Sequence, residues 1–205
     1  MAELILIRHG KTAGNLLGRY IGSRTDEPLC DEGREGLAGK QLPEVERLYV
    51  SPMKRCVETA EILWPGFDRK KMRKVTDLRE CDFGDFENKN YKELSGNGDY
   101  QAWIDSNGTL PFPNGESMDA FKSRCLEAFA RIVEEVSGAE QEWIVSGKTG
   151  IFRAGIVVHG GTIMAILEQY GYPKAAYFDY QVKNGCGYRL TPVEGTRLWN
   201  CLCLQ

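Results

Sequence analysis

Apolar residues occur in two patterns along this chain. Some form short unbroken runs, and others recur at helical spacing. Leu4-Ile5-Leu6-Ile7 is the clearest run. Neighbouring side chains of a strand point to opposite faces, so this run predicts a strand covered on both sides. Residues 45–50 read as a second, weaker strand. Ser51-Pro52 then predicts a helix start, with Ser51 as N-cap and Pro52 in the first helical position. That helix is expected to reach about Trp64 and to stop at Pro65-Gly66. Residues 74–76 predict a short third strand. Met118, Phe121, Cys125, Phe129, Ile132 and Val136 recur at helical spacing and predict a helix over 117–136. Residues 151–158 read as a strand, and Gly160-Gly161-Thr162 leads into a helix over 163–170. Residues 188–190 and 198–204 read as closing strands, with Cys201 and Cys203 on one core-facing side. Residues 140–156 are expected to hold a strand and hairpin. Strands alternating with helices predict an α/β sandwich with a mostly parallel sheet. The 205 residues fit one domain, 1–205.

Residues 83–115 break both patterns and are rich in Gly, Asn, Pro and aromatics. Two readings stay open. Phe83, Phe86, Tyr91, Tyr100, Trp103 and Phe112 can form a small satellite core. The segment can also be a cap that selects among ligands.

Charge and cysteines narrow the classes. A net charge of −3 points to neither nucleic acid nor an anionic membrane as partner. No apolar run is long enough to span a bilayer. Residues 4–7 are too short for a signal-peptide core. Seven scattered cysteines, an odd number without a secretory signal, predict reduced thiols in a cytoplasmic protein. No Cys/His cluster has ligand spacing, so no metal is expected.

The chemistry collects at strand ends. In open α/β sheets, ligands bind beyond the carboxyl ends of the strands. Arg8-His9-Gly10 follows the first strand, 51–55 the second, Glu80 the third and His159-Gly160-Gly161 the fourth. Parallel strands would gather both histidines of the chain, two arginines and a carboxylate on one edge. Phosphate suits such a group, because it takes guanidinium forks and backbone N–H groups at helix starts. A neutral histidine can attack phosphorus. A protonated one can hold the equatorial oxygens. A carboxylic acid can protonate a leaving alcohol. Arg55 in a first helical turn opposes the helix dipole, which an anion nearby would explain.

Short motifs stand in order along nearly the whole chain. They are Arg8-His9-Gly10-Lys11-Thr12 with Asn15 and Arg19, then Gly22 with 26–29 and Gly33, then Ser51-Pro52-Met53-Lys54-Arg55 with Glu58-Thr59-Ala60. Leu78-Arg79-Glu80 follows with Phe83-Gly84 and Phe86-Glu87, then Pro113-Asn114-Gly115-Glu116-Ser117, and Val157-Val158-His159-Gly160-Gly161 closes the series. Together they resemble the histidine phosphatase superfamily, in the branch related to cofactor-dependent phosphoglycerate mutase. The resemblance implies the phosphoglycerate mutase-like fold, a three-layer sandwich, with a cap-like insertion at about 81–116. It implies metal-independent, cofactor-free phosphomonoester hydrolysis through a phosphohistidine. His9 is then the nucleophile, Glu80 the proton donor that later helps activate water, and His159 a third catalytic residue. Arg8, Asn15, Arg55 and His159 bind the transferred phosphate. The partner is a small phosphate ester, with α-ribazole 5′-phosphate among the candidates; the oligomeric state stays open. Cys30, Gly36-Leu37 and Asn88 depart from the usual Thr, Gln-Ala and Gly, and the last bears on specificity.

Three alternatives fit the residues less well. A phosphoglycerate mutase would use the same His9 and clamp, but the resemblance gives mutases longer chains, and 78–84 looks more like the phosphatase branch. Gly147-Lys148-Thr149 echoes the end of a P-loop, yet Glu142 stands where the loop needs glycine, and a strand is expected after it. A catalytically dead binding module fits poorly with an intact Arg8, His9, Arg55, Glu80 and His159.

Overall fold

The computed structural model describes residues 2–205. Its centre is a seven-stranded sheet. Strand β1 (Glu3–Arg8) lies between β4 (Arg153–Val158) and β6 (Gly187–Pro192), and β4 continues outward to β2 (Arg47–Val50) and β3 (Arg73–Lys74). On the other side β7 (Trp199–Leu204) and β5 (Gly171–Tyr172) follow β6. Strands β1 to β4 are mutually parallel, and β6 is antiparallel to both its neighbours. The sheet is therefore mostly parallel, as the alternation predicts. The β1 run is buried along its apolar length because helices cover both faces. Leu4 and Leu6 pack with α5 (Met118–Val145) and α6 (Gly160–Tyr170), while Ile5 and Ile7 pack with α3 (Lys54–Leu63). These are three layers.

Several expected boundaries move. Helix α3 starts at Lys54 with Met53 as N-cap, so Ser51 does not cap it. Ser51 lies in the turn before, where its hydroxyl has another partner. Helix α5 starts where predicted, with the Ser117 hydroxyl accepting from the Ala120 N–H, but it runs on to Val145. The expected strand and hairpin at 140–156 is thus the last turns of α5, a short loop and β4. Trp143 remains helical because it packs on Phe152, with ring centres 6.0 Å apart. Cys201 packs against the core, but Cys203 is exposed. Leu204, the next residue and on the opposite face, packs against the core under α3.

The irregular segment holds α4 (Gly98–Asp105) and tight turns. Phe86, Leu94 and Phe112 form a core of their own with Phe121 and Cys125 of α5. Phe86 contacts Tyr100, Trp103 and Phe112 edge-on. The satellite core is real, except that Tyr91 is exposed and stands outside it, and its other side faces a cleft described below. Among the described residues no helix is long and apolar enough to cross a membrane.

Candidate active site

Register brings the motifs together. Arg8 pairs with Val158, and Val50 with Val157, so 8–10, 51–55 and 159–161 leave the sheet at one edge. The His9 N–H donates to the Val158 carbonyl (2.9 Å) and the Ser51 N–H to that of Val157 (3.0 Å). Sheet hydrogen bonding thus extends to the site itself.

His9 is 3% exposed. Its Nδ1 lies 2.7 Å from the Gly10 carbonyl. A carbonyl only accepts, so Nδ1 carries the proton and Nε2 keeps a free lone pair. Burial, then Arg55 and Arg8, hold the His9 pKa well below the ordinary histidine value. The ring is neutral and nucleophilic. Gly10 is held in turn by its N–H to Thr59 Oγ1, 2.9 Å.

His159, fully buried, is the N-cap of α6. Its ring centre is 5.2 Å from that of His9. Arg55 Nε donates to its Nδ1 at 3.3 Å. Guanidinium has no lone pair to offer, so His159 is protonated on Nε2, which donates to Ser51 Oγ at 2.8 Å. Burial first, then Arg55, His9 and Arg8, push its pKa well down. The expectation of a protonated second histidine therefore does not describe this state. Two arginines beside a buried ring favour the neutral form.

Arg55 is also fully buried. It donates from Nη1 to the Thr25 carbonyl (2.7 Å) and from Nη2 to that of Gly22 (3.0 Å). Arg8 donates from Nη1 to the Val182 carbonyl (2.7 Å), while its buried Nε has no partner within the protein. Glu80 is 8% exposed, and burial raises its pKa above the ordinary 4.5. Its Oε1 accepts from the Cys81 N–H (3.0 Å) and its Oε2 from the Gly161 N–H (3.2 Å). A Cβ on residue 161 would sit 2.6 Å from Glu80 Oε1, so only glycine lets the carboxyl dock on the first turn of α6.

Asn15 is less directly committed. It shares a capping box with Thr12 at the start of α1 (Ala13–Leu16). Its Oδ1 also accepts from Asn184 Nδ2 at 3.2 Å. Arg19 faces away to Asn88 and Glu93. All the other candidate residues gather at one place. Three participants were not foreseen. Ser51 orients His159. Asn184 donates to the His9 carbonyl (3.1 Å) and ties Asn15 to the nucleophile's backbone. Glu87 accepts from the N–H groups of Gly22 (3.0 Å), Arg24 (3.1 Å) and Phe83 (3.3 Å), shaping the loop whose carbonyls hold Arg55. Ser51 and Glu87 stand inside the motifs quoted above, without a sign of these roles, and Asn184-Gly185 is a turn signal at a sheet edge. Gly187, just beyond, leaves no room for a Cβ against the Leu6 carbonyl.

Beyond Glu80 and Gly161 a cleft of about 720 Å³ opens, walled by α5, α6 and the aromatic segment. Among the described residues no three His, Cys, Asp or Glu side chains are grouped to hold a metal ion.

A neutral histidine set among arginine guanidinium groups and a buried carboxyl defines an enzyme that handles phosphate esters. The chain belongs to the histidine phosphatase superfamily, branch 1, whose family model matches residues 4–203. It is 32% identical over 178 residues to phosphoglycerate mutase-like protein 4 of Arabidopsis thaliana, covering 82% of this chain and 70% of that protein. It is 28% identical over 203 residues to an adenosylcobalamin/alpha-ribazole phosphatase of Salmonella typhimurium, covering 94% and 92%. The alpha-ribazole phosphatase structure from Shigella flexneri shares the fold, with TM-score 0.74 and 23% identity over 98% of this chain and 95% of that one.

Proposed function

We propose that the protein is a metal-independent phosphomonoester hydrolase that works through a phosphohistidine on His9, with no cofactor. The observation that carries this is the His9 ring itself. Its Nδ1 proton is bound to the Gly10 carbonyl, which leaves Nε2 as the nucleophile. In the first step Nε2 attacks phosphorus and the P–O ester bond breaks. Glu80, whose pKa burial raises, gives its proton to the departing oxygen. In the second step the Glu80 carboxylate takes a proton from water, the hydroxide attacks phosphorus, and the P–N bond breaks.

Arg8 and Arg55 supply the positive charge for the phosphoryl oxygens, which a metal supplies in other phosphatases. The unpartnered Arg8 Nε is a buried donor of the kind that an anion satisfies. His159 Nε2–H, now on Ser51, is a further donor. A bound dianion also offsets the repulsion from both arginines and lifts the His159 pKa. Asn15 holds the turn around the nucleophile through Asn184. The segment 81–116 acts as a cap within one domain, 1–205. The Salmonella relative makes α-ribazole 5′-phosphate a candidate substrate.

The test is rapid mixing with labelled p-nitrophenyl phosphate in EDTA, quenched in base. Base-stable, acid-labile label should appear on wild type and vanish in His9→Ala, with turnover down by about 10³-fold or more. Substantial activity in His9→Ala, or complete loss in EDTA restored by magnesium or zinc, overturns the reading. Rapid conversion of 3-phosphoglycerate to 2-phosphoglycerate that needs 2,3-bisphosphoglycerate, without free phosphate from any ester, shows a mutase instead.

A further inference from the structure

The cleft beyond Glu80 is open where the leaving group of an ester on His9 would lie. Its walls are mainly aromatic and sulfur-bearing: Tyr20, Phe83, Trp103, Met164, Tyr177 and Phe178. The rings are already packed against each other. Tyr20 meets Phe83 edge-on at 5.5 Å, and Tyr177 meets Phe178 at 5.1 Å. Tyr20 is held by its hydroxyl to that of Tyr100, 3.0 Å away. Preset walls of this kind lower the entropy cost of taking up a flat ring.

The charges point the same way. Glu80 and Asp119 line the cleft, and Lys122 is the cation among its lining residues. Lys122 Nζ lies 2.5 Å from Glu168 Oε2, and 4.6 Å from the Tyr177 ring centre. Its charge is matched before any ligand arrives. A leaving group with a carboxylate would meet the Asp119 carboxylate and a cation that already has a partner.

We propose that this cleft takes the uncharged, ring-bearing leaving group of a phosphate ester, and that the Lys122–Glu168 pair turns away leaving groups carrying a carboxylate. The proposal rests on the phosphohydrolase reading above.

The experiment compares three alkyl esters, so that leaving-group basicity differs little among them: 2-(2-naphthyl)ethyl phosphate, ethyl phosphate and 3-phosphoglycerate. Phosphate release gives kcat/KM for each. The naphthyl ester should exceed ethyl phosphate by about tenfold or more, the scale of burying an aromatic ring. 3-Phosphoglycerate should fall below ethyl phosphate. Phe178→Ala, at an exposed ring, should cut the naphthyl-to-ethyl ratio by about threefold or more. Glu168→Gln frees Lys122 and should raise 3-phosphoglycerate relative to ethyl phosphate by about threefold or more. Equal kcat/KM for all three esters, or no change in 3-phosphoglycerate on Glu168→Gln, overturns the proposal while leaving the hydrolase intact. No release from any ester points instead to failure of the hydrolase reading.

Discussion

Replacing Glu80 by Gln separates its two consequences, for catalysis and for stability. Glutamine keeps the shape and one acceptor oxygen. Its NH₂ must then face either the Cys81 or the Gly161 N–H, both of which the carboxyl now satisfies. One buried donor is left unpaired, at a cost of about 1–3 kcal/mol. The opposing effect depends on pH. Burial raises the folded-state pKa of Glu80 above 4.5, so the folded state holds its proton longer than the unfolded state. Wild-type stability from this group is complete at low pH and is lost as pH rises from about 4.5 through the raised value. Each unit of elevation is worth about 1.4 kcal/mol. Glutamine has no such loss, so the variant should be less stable than wild type at pH 4, with a smaller gap at pH 8. Catalysis should show the missing proton. Ethyl phosphate turnover should fall about 10²–10⁴-fold, and p-nitrophenyl phosphate turnover less than about tenfold, because nitrophenolate leaves without help. Thermal melts at both pH values and phosphate release from both esters measure this. Equal slowing of the two esters, or a stability gap that widens with pH, refutes the reasoning.

His9 and His159 give the opposite pH sense. Both pKa values are held well below 6.5 in the folded state, so the unfolded state binds protons first, and stability falls as pH drops below about 6.5. Each ring contributes up to ~1.4 kcal/mol per pH unit, and melts of His159→Gln should show a shallower acid slope; an unchanged slope counts against a neutral His159. Glu87→Ala removes the acceptor of three loop N–H groups and loosens the carbonyls that aim Arg55. The inhibition constant of inorganic phosphate should rise about tenfold, with Glu87→Gln between the two; an unchanged constant would show that Arg55 needs no such support.

Much of this molecule follows from its sequence alone. The β1 run can satisfy its apolar residues only with cover on both faces, and that fact already requires layers around a sheet. Arg8, His9, Arg55, Glu80 and His159 are legible because each sits in a short local motif. Their residue types state the chemistry before any geometry is known. Tertiary structure decided the rest, since partners in space need not be neighbours in sequence. Ser51 reads locally as a helix cap, but its hydroxyl lies on His159, 108 residues away. Asn184 reaches back 175 residues to the His9 carbonyl. The strand-like 143–145 is helical because Trp143 has Phe152 to pack on. The protonation of His159 also depends on the fold, because only folding sets Arg55 beside its Nδ1 and removes water from both. Local propensity and spacing reveal which groups a chain carries. The His9 lone pair is set by its own neighbour Gly10, whereas long-range contacts determine the tautomer of His159 and the charge around both rings.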